Sequence, residues 1–149
     1  MSELLEILGW AGLYGATALG AIGSILGCAV AGQAAIGASL DVETGYARLI
    51  GASALPSSQV IYGIVVMLTL QRPVTAETGA GLFAIGGLAG LALLLSGVYQ
   101  GRCCASAINA AKEKPELFGL ALAPAAIVEG FAVFAFVFAL VLSANLPAG

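Results

Sequence analysis

The sequence predicts an all-α membrane protein: four transmembrane helices, arranged as two duplicated hairpins that assemble into a homo-oligomeric ring. Three observations predict it, namely apolar stretches of bilayer-spanning length, a near absence of charge, and rows of small residues at helical spacing. Of the 149 residues, 60% are hydrophobic and only 9% charged, against roughly one quarter charged in soluble domains. An ordinary soluble globule is therefore excluded.

Four stretches, about Ile7 to Ala38, Tyr46 to Leu70, Gly79 to Ala111 and Leu117 to Leu142, each exceed the roughly 20 residues that cross a bilayer. They consume nearly all of the chain and leave no room for a soluble catalytic or nucleic-acid-binding domain. The basic patch that nucleic acids require is also missing. Met1 to Trp10 carries Glu3 and Glu6 and no Lys or Arg, unlike the basic start of a signal peptide, so it reads as the opening of the first helix. Cys28, Cys103 and Cys104 fall inside predicted helices and read as small buried packing residues rather than as disulfide or metal ligands.

Basic residues flanking membrane spans tend to stay in the cytoplasm. Arg48, Arg102, Lys112 and Lys114 flank the first and third connections, and only Arg72 flanks the second. The consistent topology places those two loops in the cytoplasm and both termini outside it.

The two hairpins, residues 1–73 and 74–149, repeat one plan. The first helix carries Gly12, Ala16, Gly20, Ser24, Cys28 and Gly32 at four-residue steps, and the third carries Gly86 and Gly90, then Gly97, Gly101 and Ala105. In lipid, apolar side chains gain nothing by leaving the tails, so close backbone approach over small residues is a main source of helix association. The second and fourth helices are bulkier, with Phe131, Phe134, Phe136 and Phe138 on the fourth. Two small-residue helices and two bulky ones read as an inner and an outer layer. A single chain offers little for two glycine-rich helices to pack against, which argues for a closed ring of copies; an ordinary tight four-helix bundle is the alternative.

Glu129 lies about 18 Å from the cytoplasmic end of the fourth helix at a rise of ~1.5 Å per residue, near the bilayer centre. Ser58 and Gln59 on the second helix and Gln100 on the third reach the same depth. A charged acid there costs from ~2.5 to more than ~10 kcal/mol, so such residues are rare and functional. No Lys or Arg shares that level, and Arg102 can snorkel toward the cytoplasm. Glu129 is therefore either protonated or neutralised by a bound cation. Leu55, Ser58, Gln59 and Tyr62 follow an i, i+3, i+4, i+7 spacing on one helix face. Pro56 within that set removes a backbone N–H and loosens the ladder, as helices do where the backbone lines a site. Gln59 and Gln100 can each offer a carbonyl oxygen to a cation, and the Tyr62 hydroxyl needs an acceptor, for which Glu129 is suited.

At these residues the sequence resembles the duplicated proteolipid, the c or K subunit, of the rotor ring of rotary V-type and A-type ATPases. The resemblance rests on the glycine-rich stretch from Gly23 to Ala35, LPSSQVIYG from Leu55 to Gly63, YQGR from Tyr99 to Arg102, KEKPE from Lys112 to Glu116, and IVEG around Glu129. Sliding the second helix onto the fourth puts Ser57 opposite Glu129, so the first hairpin lacks the acid. By resemblance to sodium-binding members, the ligands would be the Leu55 carbonyl, Ser58, Gln59, Gln100 and Glu129, with Tyr62 hydrogen-bonded to the carboxylate. Ser58 stands where threonine is common, and the hydroxyl oxygen is retained.

The resemblance implies a ring of copies with the first and third helices inside, lipid outside, a stator subunit presenting a basic residue, and a central-stalk subunit on the cytoplasmic loops. It also implies a bacterial or archaeal plasma membrane. Hard cations want several oxygens, whereas a proton needs the carboxylate and one acceptor. The amide-rich site therefore favours Na+ over the alternative, H+. The chain has no GxxxxGK[ST] run and reads as a non-catalytic subunit. A structural protein with a permanently protonated Glu129 and a passive pore are the rival readings; the pore lacks an axial polar lining.

Overall fold

The computed structural model describes residues 1–147. Among them every regular element is helical: α1 (Ser2–Ser39), α2 (Tyr46–Ser53), α3 (Ser58–Thr69), α4 (Ala76–Glu113), α5 (Phe118–Ala121) and α6 (Ala123–Ser143), with 3-10 turns at Leu55–Ser57 and Pro115–Leu117. These merge into four spans long and apolar enough to cross a membrane, Ser2–Ser39, Tyr46–Thr69, Ala76–Glu113 and Pro115–Ser143. The protein is an integral membrane protein.

The first and third spans overrun the expected ranges at both ends. For the third, the start is set by Thr75 and Thr78, which form a reciprocal capping box and begin α4 three residues before Gly79. The second span is interrupted near its middle, where Pro56 predicted a loosened ladder, and the fourth near its start. In both, a proline follows the interruption or lies in it: Pro56 in the Leu55–Ser57 turn and Pro124 in the first turn of α6 after Leu122. Proline lacks the N–H that a continuous ladder requires.

The two long helices α1 and α4 pack in parallel along their length and form the spine of the molecule. Their glycines meet in one constant register, Gly12 against Gly86, Gly23 against Gly97 and Gly27 against Gly101. A Cβ on Gly97 would fall 2.5 Å from the Gly23 carbonyl carbon and 2.7 Å from its oxygen, closer than real Cβ atoms approach. The small-residue rows are thus what permits this spacing. The segment of α3 packs chiefly on α1, and α6 chiefly on α4, so each bulky span lies beside the small-residue helix of its own hairpin. On α6, Phe131, Phe134 and Phe138 are exposed, as a lipid- or copy-facing side requires.

Both ends of the bundle are tied across the hairpins. At one end Lys112 pairs with Asp41 at 2.5 Å, and the Arg48 guanidinium lies over the Phe118 ring and donates to the Pro115 carbonyl. At the other, Arg72 donates to the carbonyls of Thr69, Ser143 and Leu146, satisfying acceptors that the ends of α3 and α6 leave open. Cys104 is fully buried beside Ala31 and Ala125, while Cys28 and Cys103 are half-buried; all three are free thiols.

Candidate ion-binding site

The site lies where α3, α4 and α6 converge, beside the Leu55–Ser57 turn. Glu129, from α6, is half-buried and its carboxylate is held from two sides. The Tyr62 hydroxyl on α3 donates to Glu129 Oε1 at 3.1 Å, and the Gln100 amide on α4 donates to Glu129 Oε2 at 3.0 Å. Gln100 Oε1 in turn accepts from the Gln59 amide at 3.0 Å, and that amide also reaches Ser58 Oγ at 3.3 Å. Ser58 Oγ donates to the Leu55 carbonyl at 3.2 Å. One continuous hydrogen-bonded path therefore joins all six residues singled out from the sequence. They come from three helices that are far apart in the chain.

Polarity and burial are sharply graded along that path. Gln59 and Gln100 are completely buried, Glu129, Ser58 and Tyr62 half-buried, and Leu55 exposed. Gln59 Oε1 is buried and has no hydrogen-bond partner. A buried amide oxygen without a donor is costly and rare. Gln59 lies on the same hydrogen-bonded path as Gln100 Oε1, Ser58 Oγ, the Leu55 carbonyl and the carboxylate, and oxygens of these types, Gln59 Oε1 among them, are the ligands hard cations take.

No Lys or Arg forms an ion pair with Glu129 among the described residues; Arg102 instead stacks over the Tyr99 ring, 5.1 Å from its centroid. The Tyr62 ring stacks on Phe136 of α6 at 5.3 Å, which fixes the direction of its hydroxyl. From α1 and α4, Thr17 Oγ1 donates to the Gly63 carbonyl at 3.0 Å and Ser96 Oγ to the Val128 carbonyl at 3.2 Å. Those carbonyls are next in the chain to Tyr62 and Glu129, so both side chains hang from backbone that is held from behind. Sequence reasoning missed both hydroxyls, because a Ser or Thr inside a helix commonly bonds back to its own preceding turn. The one signal available was that Ser96 lies four residues before Gln100, on the same face of α4.

These features define a four-helix membrane protein with a carboxylate held among buried amides. The family model of the ATP synthase C subunit matches residues 83–142, which include Gln100 and Glu129. The chain is 34% identical over 142 residues to the A-type ATP synthase subunit K of Methanocaldococcus jannaschii, an alignment covering 89% of this chain and 62% of that protein. It thus spans less than two thirds of the length of that relative. It is 28% identical over 134 residues to the V-type sodium ATPase subunit K of Enterococcus hirae, covering 87% of this chain and 86% of that one. Over most of its own length the chain is thus similar to the K subunits of an A-type ATP synthase and a V-type sodium ATPase.

Proposed function

We propose that this chain is a rotor-ring subunit of a V/A-type rotary ATPase and that it binds and carries Na+ at Glu129. The observation that carries the reading is the oxygen cluster around that carboxylate, above all the buried, unpartnered Gln59 Oε1. A site for a proton alone has no use for two buried amides and a hydroxyl converging on one acid. The sodium name of the Enterococcus hirae relative supports the same choice.

Several copies form a ring, with α1 and α4 inside and the spans of α3 and α6 outside. A groove beside the site, lined by Leu95, Ser96, Tyr99, Val128 and Phe131, is covered there by the next copy. With Na+ bound, Glu129 carries no net charge and moves past lipid. At the stator, a basic residue of that partner favours the empty carboxylate and releases the ion. The end bearing Asp41, Arg48 and Lys112 faces the cytoplasm and the central stalk. Moving one charge against ~100 mV takes about 2.3 kcal/mol, within reach of coupled ATP hydrolysis, and the reverse flow can drive synthesis.

The test is carbodiimide modification of Glu129 in the assembled complex, followed against pH with and without Na+. Protection by millimolar Na+ near neutral pH is expected. Protection by raised pH alone, indifferent to Na+, would leave a proton site.

A further inference from the structure

The second span breaks at Leu55–Ser57, and α3 restarts at Ser58 with Ser57 in the cap position and no capping bond from its own side chain. The first N–H groups of a helix need acceptors, which a cap side chain normally supplies to the second or third residue. Here the third residue is Val60. Its N–H donates to Ser24 Oγ, on α1, at 3.2 Å. The same hydroxyl donates to the Pro56 carbonyl at 2.7 Å. In an unbroken helix the Val60 N–H and the Pro56 carbonyl would bond to each other. A side chain from another helix has been inserted into that rung, a recognised cause of helix distortion.

The surroundings hold Ser24 at the rung. It is buried, and Gly20 and Gly27, one turn to either side, bring the same α1 face against the break. A Cβ on Gly20 would fall 2.7 Å from the Gln59 carbonyl oxygen, and one on Gly27 2.7 Å from Pro56 Cβ. The opened turn is the segment that presents the Leu55 carbonyl, Ser58 Oγ and Gln59.

We infer that Ser24 is a positioning residue for the cation site: its hydroxyl caps α3 from outside and keeps the turn at Leu55–Ser57 open, so that the second span offers its oxygens in a binding arrangement. The inference rests on the sodium reading above. Without the hydroxyl, the Val60 N–H and the Pro56 carbonyl either lose their partners in an apolar interior or close the rung directly, which lengthens α3 by rotating Leu55 and Ser58 away from Glu129.

The experiment compares the assembled wild-type complex with Ser24→Ala, Ser24→Gly and Ser24→Thr, titrating Na+ protection of Glu129 against carbodiimide. Ala and Gly are residue types this helix row already holds, and Thr restores the hydroxyl. The half-protecting Na+ concentration is expected to rise about tenfold in Ala and Gly, equivalent to about 1.4 kcal/mol, and to return toward wild type in Thr. Assembly and the pH profile of labelling without Na+ are expected to stay unchanged. Wild-type protection in assembled Ala and Gly variants overturns the inference alone. Failure of both to assemble makes Ser24 a folding residue and also overturns it. Absence of Na+ protection in the wild type overturns the sodium reading, and this inference with it.

Discussion

Replacing Tyr62 with Phe removes a single atom from the site. The hydroxyl donates to Glu129 Oε1 at 3.1 Å, and the ring stacks on Phe136 at 5.3 Å. Phenylalanine keeps that stacking, so packing between α3 and α6 is retained while one donor to the carboxylate is lost. A hydrogen bond to a charged group contributes about 1.5–3 kcal/mol. Tyr62 is half-buried, which places the effect at the low end, about 1.5 kcal/mol, or roughly tenfold in affinity. Gln100 still holds the other carboxylate oxygen, so the loss is partial. The half-protecting Na+ concentration in the carbodiimide assay should therefore rise about tenfold, with the amount of assembled ring unchanged. An unchanged Na+ titration would refute the reasoning, because the hydroxyl would then contribute equally to the empty and the loaded site.

Glu129→Gln should leave the complex assembled and reduce ion transport to background, as measured by Na+ uptake into inverted vesicles; coupled uptake at the wild-type rate would remove Glu129 from the pathway. Gly97→Ala places a Cβ against Gly23 backbone atoms that cannot rotate away, and overpacking of this kind costs about 1–3 kcal/mol. The ring should dissociate at a lower temperature, whereas Gly32→Ala, whose Cβ would meet nothing within 4 Å, should not lower it. The Lys112–Asp41 pair, with Lys112 half-buried and Asp41 exposed, is a surface pair of the kind that contributes up to about 1 kcal/mol. Asp41→Asn should accordingly lower thermal stability slightly at low ionic strength and not measurably at high salt.

The depth of the site was readable from residue counts because the bilayer permits little but helix, and a helix converts numbering into height. Glu129, Gln100 and Gln59 could therefore be set at one level before any contact was known, and the structure joins them in one hydrogen-bonded path. The small-residue rows likewise announced close packing of α1 and α4. Their residue-by-residue register was not legible, since glycines at every fourth position fit several registers equally well. The interruption of the second span was only partly visible: Pro56 signalled a weakened ladder, but nothing near it in the sequence shows that Ser24, thirty-two positions earlier, enters the rung. Ser24 looked like a spacer because its neighbours in the row are small, and its hydroxyl acquires a role only once α3 is laid against α1. Arg72 was equally opaque, since its acceptors are the carbonyl ends of two helices that meet only in the folded bundle.

The central claim is that one oxygen-rich site on each chain, built around Glu129, binds Na+. Equilibrium binding of radiolabelled sodium to the purified ring tests it most directly. The account predicts saturable binding of one Na+ per chain in the wild type and its loss in Glu129→Gln rings that remain assembled. Sodium binding that survives Glu129→Gln, or a wild-type ring that binds none, would contradict it.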